Sequence, residues 1–141
     1  TINLLSEEYI NHLSSFNHLF DHTIEILDYL KPKYKLHIIT NGFHEVQRKK
    51  MRNSGILEYF DVIMDSEMAG IKKPNPKIFE LSMEAASTAP AKSLMIGDSI
   101  EADILGAKAL GLHVLHFNAH SEKMHNHCKV IHRLIEIKKY L

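Results

Sequence analysis

The 141-residue chain is 45% apolar, enough for one globular domain with a core of its own, and its 17 basic and 17 acidic residues cancel. That balance excludes a global electrostatic pull toward nucleic acid or an anionic membrane, and no apolar run reaches the length of a membrane span. The single cysteine, Cys128, excludes an internal disulfide and suits a reducing, cytoplasmic compartment.

In chain order, Ser6 is placed to cap a first helix whose apolar face runs Tyr9, Leu13 and Phe16. A second helix is predicted from Asp21 or Thr23 through Leu30, ahead of Pro32. "KLHIIT", residues 35–40, reads as a strand cut off by the turn pair Asn41-Gly42. Residues 43–54 read as helix, with Gly55 as the residue just past its end. The basic run "RKKMR" falls in its last turns, where cations favour the macrodipole. "FDVIMDS" reads as another strand, and the loop "GIKKPNPKIF" leads into a helix over 76–86. Leu94-Met95-Ile96 reads as a short buried strand, followed by Ile100, Ile104, Ala107 and Leu110 at helical spacing. After Gly111 comes the strand "HVLHF", and the tail "VIHRLIEIKKYL" is predicted as a closing amphipathic helix.

Strand and helix thus alternate four times from residue 35 onward. Such alternation implies an α/β fold: an open parallel, Rossmann-like sheet with helices on both faces, joined by right-handed crossovers. Sheets of this kind bind ligands outside the carboxyl ends of their strands. At those ends stand Thr40-Asn41-Gly42, then the loop holding Lys72 and Lys73, then Gly97-Asp98 with Asp103 one turn on. A hydroxyl with helix-start amides binds an anion, a lysine is a point charge for phosphate oxygens, and paired carboxylates suit Mg²⁺. Taken singly, each has a plainer role. Thr40 suits a strand end, the lysines suit a surface, and Asp98 with Glu101 suits a helix cap. Taken together, they describe a site for a small phosphorylated substrate with magnesium.

"HIITNG", "KKPNPKIF" and "MIGDSIEAD" resemble, in order, the second, third and fourth motifs of haloacid dehalogenase-like (HAD) phosphohydrolases. The resemblance implies that Thr40 hydrogen-bonds the phosphoryl group and that Lys73 neutralises it, with Asn41 and Gly42 beside Thr40 as further substrate-binding candidates. It implies that Asp98 and Asp103 hold Mg²⁺, with Asp98 ahead of Asp103 as a direct ligand. Family enzymes attack phosphate with an aspartate and pass through an aspartyl-phosphate. The acidic fourth motif favours a phosphatase over a dehalogenase. "KYKLHIITNGFHEVQRKKM" and "SGILEYFDVIMDSEMAGIKKPNP" are most similar to the pyrimidine 5'-nucleotidase branch, which cleaves nucleoside 5'-monophosphates. Asn41 and Asn118, each just past a strand, are secondary candidates for substrate contact.

The family's first motif, Asp-x-Asp-x-Thr, does not occur in the chain; "LFDHT", with Asp21 and Thr23, lacks the second acid and reads as a helix cap. The resemblance therefore implies that residues 1–17 are a remnant of a helical cap and that 18–141 are the α/β core without its first, central strand. Two expectations follow. The flanking strands would pair directly or borrow a strand in a swapped homo-oligomer, and the chain alone would have no phosphatase turnover. A non-catalytic anion-binding or assembly module derived from the same fold is the alternative. The histidine-rich loop with His120, His125, His127 and Cys128 fits no standard zinc spacing and reads as a polar loop, with a metal site as its minor alternative. His37, inside an apolar strand, reads as a packed residue.

Overall fold

The computed structural model describes residues 3–7, 22–118, 125 and 127–141, the first of these segments through its backbone. Six strands form one sheet in the order β3-β2-β1-β4-β5-β6, all parallel. They are β1 (Asn3–Glu7), β2 (Lys35–Thr40), β3 (Val62–Asp65), β4 (Ser93–Gly97), β5 (His113–Phe117) and β6 (Lys129–Ile131). The helices are α1 (Thr23–Leu30), α2 (His44–Asn53), α3 (Ser66–Ala69), α4 (Pro76–Ala85) and α5 (Gly106–Ala109).

Alternation along each strand divides the core into two layers, because neighbouring side chains point to opposite faces. Leu36 and Ile38, Ile63, Leu94 and Ile96, and Leu115 pack with Ile26, Leu27 and Leu30 of α1, Met51 of α2, and Leu134 and Ile137. Ile39, Met64 and Met95 pack on the other face with Ile78, Phe79 and Met83 of α4 and Ala107 of α5. The parallel sheet with helices on both faces is therefore present as expected. Strands buried on both sides read as continuous apolar runs, and "KLHIIT" and "SLMIG" do so.

Residues 3–7 overturn one expectation. Ser6 does not cap a helix; it lies in β1, which pairs with β2 (Leu5↔His37, Ser6↔Ile38) and with β4 (Leu5↔Met95, Ser6↔Ile96). The central place is filled by the chain's own segment, so the expected gap, and with it the reason for a borrowed strand, is absent. The physical cause is the demand of two buried edges: unpaired N–H and C=O groups on both β2 and β4 cost more than one unformed helix cap. Tyr9, Leu13 and Phe16, Asp21, and the boundary placed near residue 17 lie outside the described residues.

The tail differs too. Val130 and Ile131, both β-branched, add strand β6 to β5, and only Leu134–Lys139 winds, as a 3₁₀ helix. His37 is buried in β2 and accepts a hydrogen bond from the Val62 N–H at Nδ1 (3.2 Å), and burial holds its pKa below the usual imidazole range. It is a packed residue, as the sequence suggests. Among the described residues no helix is long and apolar enough to cross a membrane.

The central position of β1 has a direct check. The amides of Leu4, Leu5 and Ser6 are expected to exchange with deuterium as slowly as those of Ile38 and Met95. Exchange at the rate of a surface loop would remove β1 from the sheet.

Candidate active site

The strand order changes direction between β1 and β4, and such a switch point opens a crevice at the carboxyl ends. Thr40 ends β2 on one side of β1, and Asp98 follows β4 on the other; both are buried. Thr40 Oγ1 accepts from the Gly42 N–H (3.1 Å), which fixes the hydroxyl's direction and closes the turn. The Gln47 side chain packs against Gly42 so closely that a Cβ there would stand 1.8 Å from its Nε2, and Gln47 would have to move to admit one.

Lys73 reaches this edge from the loop before α4. Its Nζ donates to Asp103 Oδ1 (2.9 Å) and to the Ile39 carbonyl (3.0 Å), with the ammonium and the carboxylate both out of solvent. Burial pushes the Lys73 ammonium toward a lower pKa, opposed by Asp103. Burial pushes the Asp103 carboxyl upward, opposed by Lys73 and by the Ser99 N–H. Each charge therefore depends on the other.

Asn41 clamps the lysine's main chain. Its Oδ1 accepts from the Lys73 N–H (2.8 Å) and its Nδ2 donates to the Lys73 carbonyl (3.3 Å). Ser66 Oγ donates to the carbonyls of Asn41 (3.0 Å) and Gly42 (3.3 Å), tying this turn to α3.

Asp98 is not the helix cap. Ser99 caps the π-helical turn Ile100–Leu105 by accepting from the Ala102 N–H (3.1 Å). In that widened turn the N–H groups of both Asp103 and Ile104 reach the Ser99 carbonyl (3.0 and 3.2 Å). Asp103 Oδ2 accepts from the Ser99 N–H (3.1 Å), so both of its oxygens hold protein donors. Gly97 makes room for it, since a Cβ there would lie 2.4 Å from Asp103 Oδ2. Asp103 therefore faces Lys73 and the Ser99 N–H, while Asp98 lies buried at the end of β4. No three His, Cys, Asp or Glu side chains converge as a metal cluster among the described residues. A single protein carboxylate still fits Mg²⁺, which completes its shell with water and phosphate oxygens.

The family model for haloacid dehalogenase-like hydrolases matches residues 1–117. The chain belongs to the HAD-like hydrolase family. It is 37% identical over 118 residues to the pyrimidine 5'-nucleotidase YjjG of Escherichia coli, covering 82% of this chain and 52% of that protein. Among solved structures it is similar to a HAD phosphatase from Thermococcus onnurineus (TM-score 0.83, 33% identity, 94% of this chain and 63% of that one). It is similar as well to the putative HAD-hydrolase YfnB of Bacillus subtilis, solved bound to magnesium (TM-score 0.80, 30% identity, 87% of this chain and 55% of that one). This HAD-like chain thus spans about half the length of the Escherichia coli nucleotidase.

Two groups at the HAD-like sheet edge escape a reading by motif. Asp65, beside Thr40 in register, accepts from the Met68 N–H through Oδ1 (2.8 Å) and meets His44 Nδ1 through Oδ2 (2.6 Å). Arg48 Nε donates to His44 Nε2 (3.0 Å), so His44 donates to Asp65 from Nδ1. Strand-end position was the available signal, since Asp65 closes "FDVIMD" as Thr40 closes "KLHIIT". The other group is His116, on β5. His120 lies outside the described residues; His125 and His127 are hydrogen-bonded in series with His116. Asn118 is buried, and its N–H donates to the Ile131 carbonyl (2.7 Å).

The Lys73–Asp103 pair yields a stability prediction. Asp103→Asn strands a buried ammonium and is expected to lower the unfolding free energy by about 3–5 kcal/mol in urea titrations. Adding Lys73→Met should recover part of that loss. A single-variant cost below about 1 kcal/mol, the scale of a surface pair, would contradict the burial argument.

Proposed function

We propose that the protein is a Mg²⁺-dependent phosphomonoesterase acting on nucleoside 5'-monophosphates through an aspartyl-phosphate, with the nucleophilic aspartate outside these 141 residues. The carrying observation is the buried Lys73 ammonium, fixed by Asp103 and the Ile39 carbonyl at the switch point between Thr40 and Asp98. Similarity to YjjG, a pyrimidine 5'-nucleotidase by name, supports the substrate class, and the magnesium-bound YfnB structure supports the metal.

In this reading the Thr40 hydroxyl and the Lys73 ammonium bind the equatorial phosphoryl oxygens, where charge is held during transfer. Asp98 would hold Mg²⁺, whose role when bound is to neutralise phosphoryl charge and fix the phosphate's orientation. Asn41 acts one step back, by holding the peptide of Lys73. The aspartate oxygen attacks phosphorus as the ester oxygen leaves with a proton; water then splits the acyl phosphate and regenerates the carboxylate.

A second reading, the non-catalytic anion-binding module, is favoured by β1. The strand that takes the central slot, "NLLSE", carries no aspartate. Phosphate release separates the two. Residues 1–141 alone are expected to give no turnover. The protein with its nucleophile-bearing segment should release phosphate from UMP or dTMP faster than from triose phosphates, and only with Mg²⁺. Thr40→Ala should lower kcat on the order of 10²-fold. Binding of phosphate without turnover in both forms would favour the module.

A further inference from the structure

Asp98 follows the last residue of β4, and the ladder with β5 ends at the pair Gly97↔His116. Beyond that point the Asp98 carbonyl meets a side chain: His116 Nε2 lies 3.1 Å from it. The imidazole is fully buried. Its other nitrogen, Nδ1, lies 2.9 Å from Nε2 of His125, and His125 Nδ1 accepts from the His127 N–H at 3.2 Å. The rings follow one another with centroids 5.0 and 5.2 Å apart. The Lys108 ammonium of α5 donates to the His127 carbonyl.

Only one assignment of protons satisfies this series. A carbonyl only accepts, so His116 carries its proton on Nε2 and presents Nδ1 as an acceptor. The His127 N–H only donates, so His125 accepts at Nδ1 and donates from Nε2. The donors therefore run in one direction, from the 127 amide through both rings to the main chain of Asp98.

We propose that His116, aligned by His125, is a positioning residue for the metal-binding carboxylate of Asp98, extending the sheet's hydrogen bonding by one residue where β4 ends. This role rests on the Mg²⁺ reading given above. Outer-shell partners of this kind fix a ligand's orientation without touching the metal. Here the support acts through the peptide that carries the ligand.

Two readouts test it on the whole protein. Proton–nitrogen correlation spectra of the imidazoles, recorded above the histidine titration range, should show His116 and His125 both protonated at Nε2. An Nδ1–H form of either ring overturns the series. Calorimetric Mg²⁺ binding should weaken roughly tenfold in His116→Leu, with most of the loss recovered in His116→Gln, which keeps a donor. Wild-type affinity in His116→Leu, or equal loss in both variants, overturns the positioning role. If His116→Leu fails to fold, His125→Ala, at the less buried end, decides. It should move the His116 Nδ1 resonance and weaken Mg²⁺ binding, and no change in either overturns the proposal. A wild type that binds no Mg²⁺ overturns the metal reading and the role of His116 with it, whatever the tautomers are.

Discussion

The buried pair of Lys73 and Asp103 is the constraint around which the site is built. Two charges removed from water cost several kcal/mol each, and their attraction offsets that only with short contacts and satisfied neighbours. Both conditions are met. Lys73 Nζ also reaches the Ile39 carbonyl, and the second oxygen of Asp103 holds the Ser99 N–H. The pair thus joins the end of β2, the loop before α4 and the turn after β4, three segments far apart in sequence. With the Asn41 clamp on its peptide, Lys73 has little room to move. A cation fixed in advance stabilises developing charge without reorganising, which is what phosphoryl transfer asks of a protein.

The sheet supplies the frame. Side chains of alternating direction let β2 and β4 bury both faces, against α1 and α2 on one side and α4 and α5 on the other. Between them, β1 closes the ladder with its backbone, and the switch point falls beside it. The same slot is where family resemblance places the strand bearing the nucleophile. The contest between an enzyme and a binding module is therefore a contest over which segment fills one slot.

Much of this was legible in the sequence because strand ends announce themselves. Thr40 and Asp98 stand at the ends of apolar runs and Lys73 in a Pro-punctuated loop, and each lies at the sheet edge that its position implies. Legibility failed where one position serves tertiary contacts. The clamp that Asn41 places on the Lys73 main chain has no signal in the sequence, because only the fold of a loop 32 residues away brings the two together. The cap after β4 is Ser99, one residue beyond Asp98, a shift that hydrogen-bond geometry decides and composition does not. Ser6 satisfies a cap pattern, yet two neighbouring strand edges override it. In the tail, Leu134 and Ile137 are spaced for either kind of helix; the pairing of β6 with β5 ends the choice.

The most direct test is a crystal structure of the protein with Mg²⁺ and inorganic phosphate. The account predicts phosphate within hydrogen-bond distance of Thr40 Oγ1 and Lys73 Nζ, the metal on Asp98, and Asp103 still holding Lys73. Phosphate bound elsewhere, or Asp103 drawn away from Lys73 onto the metal, would contradict it.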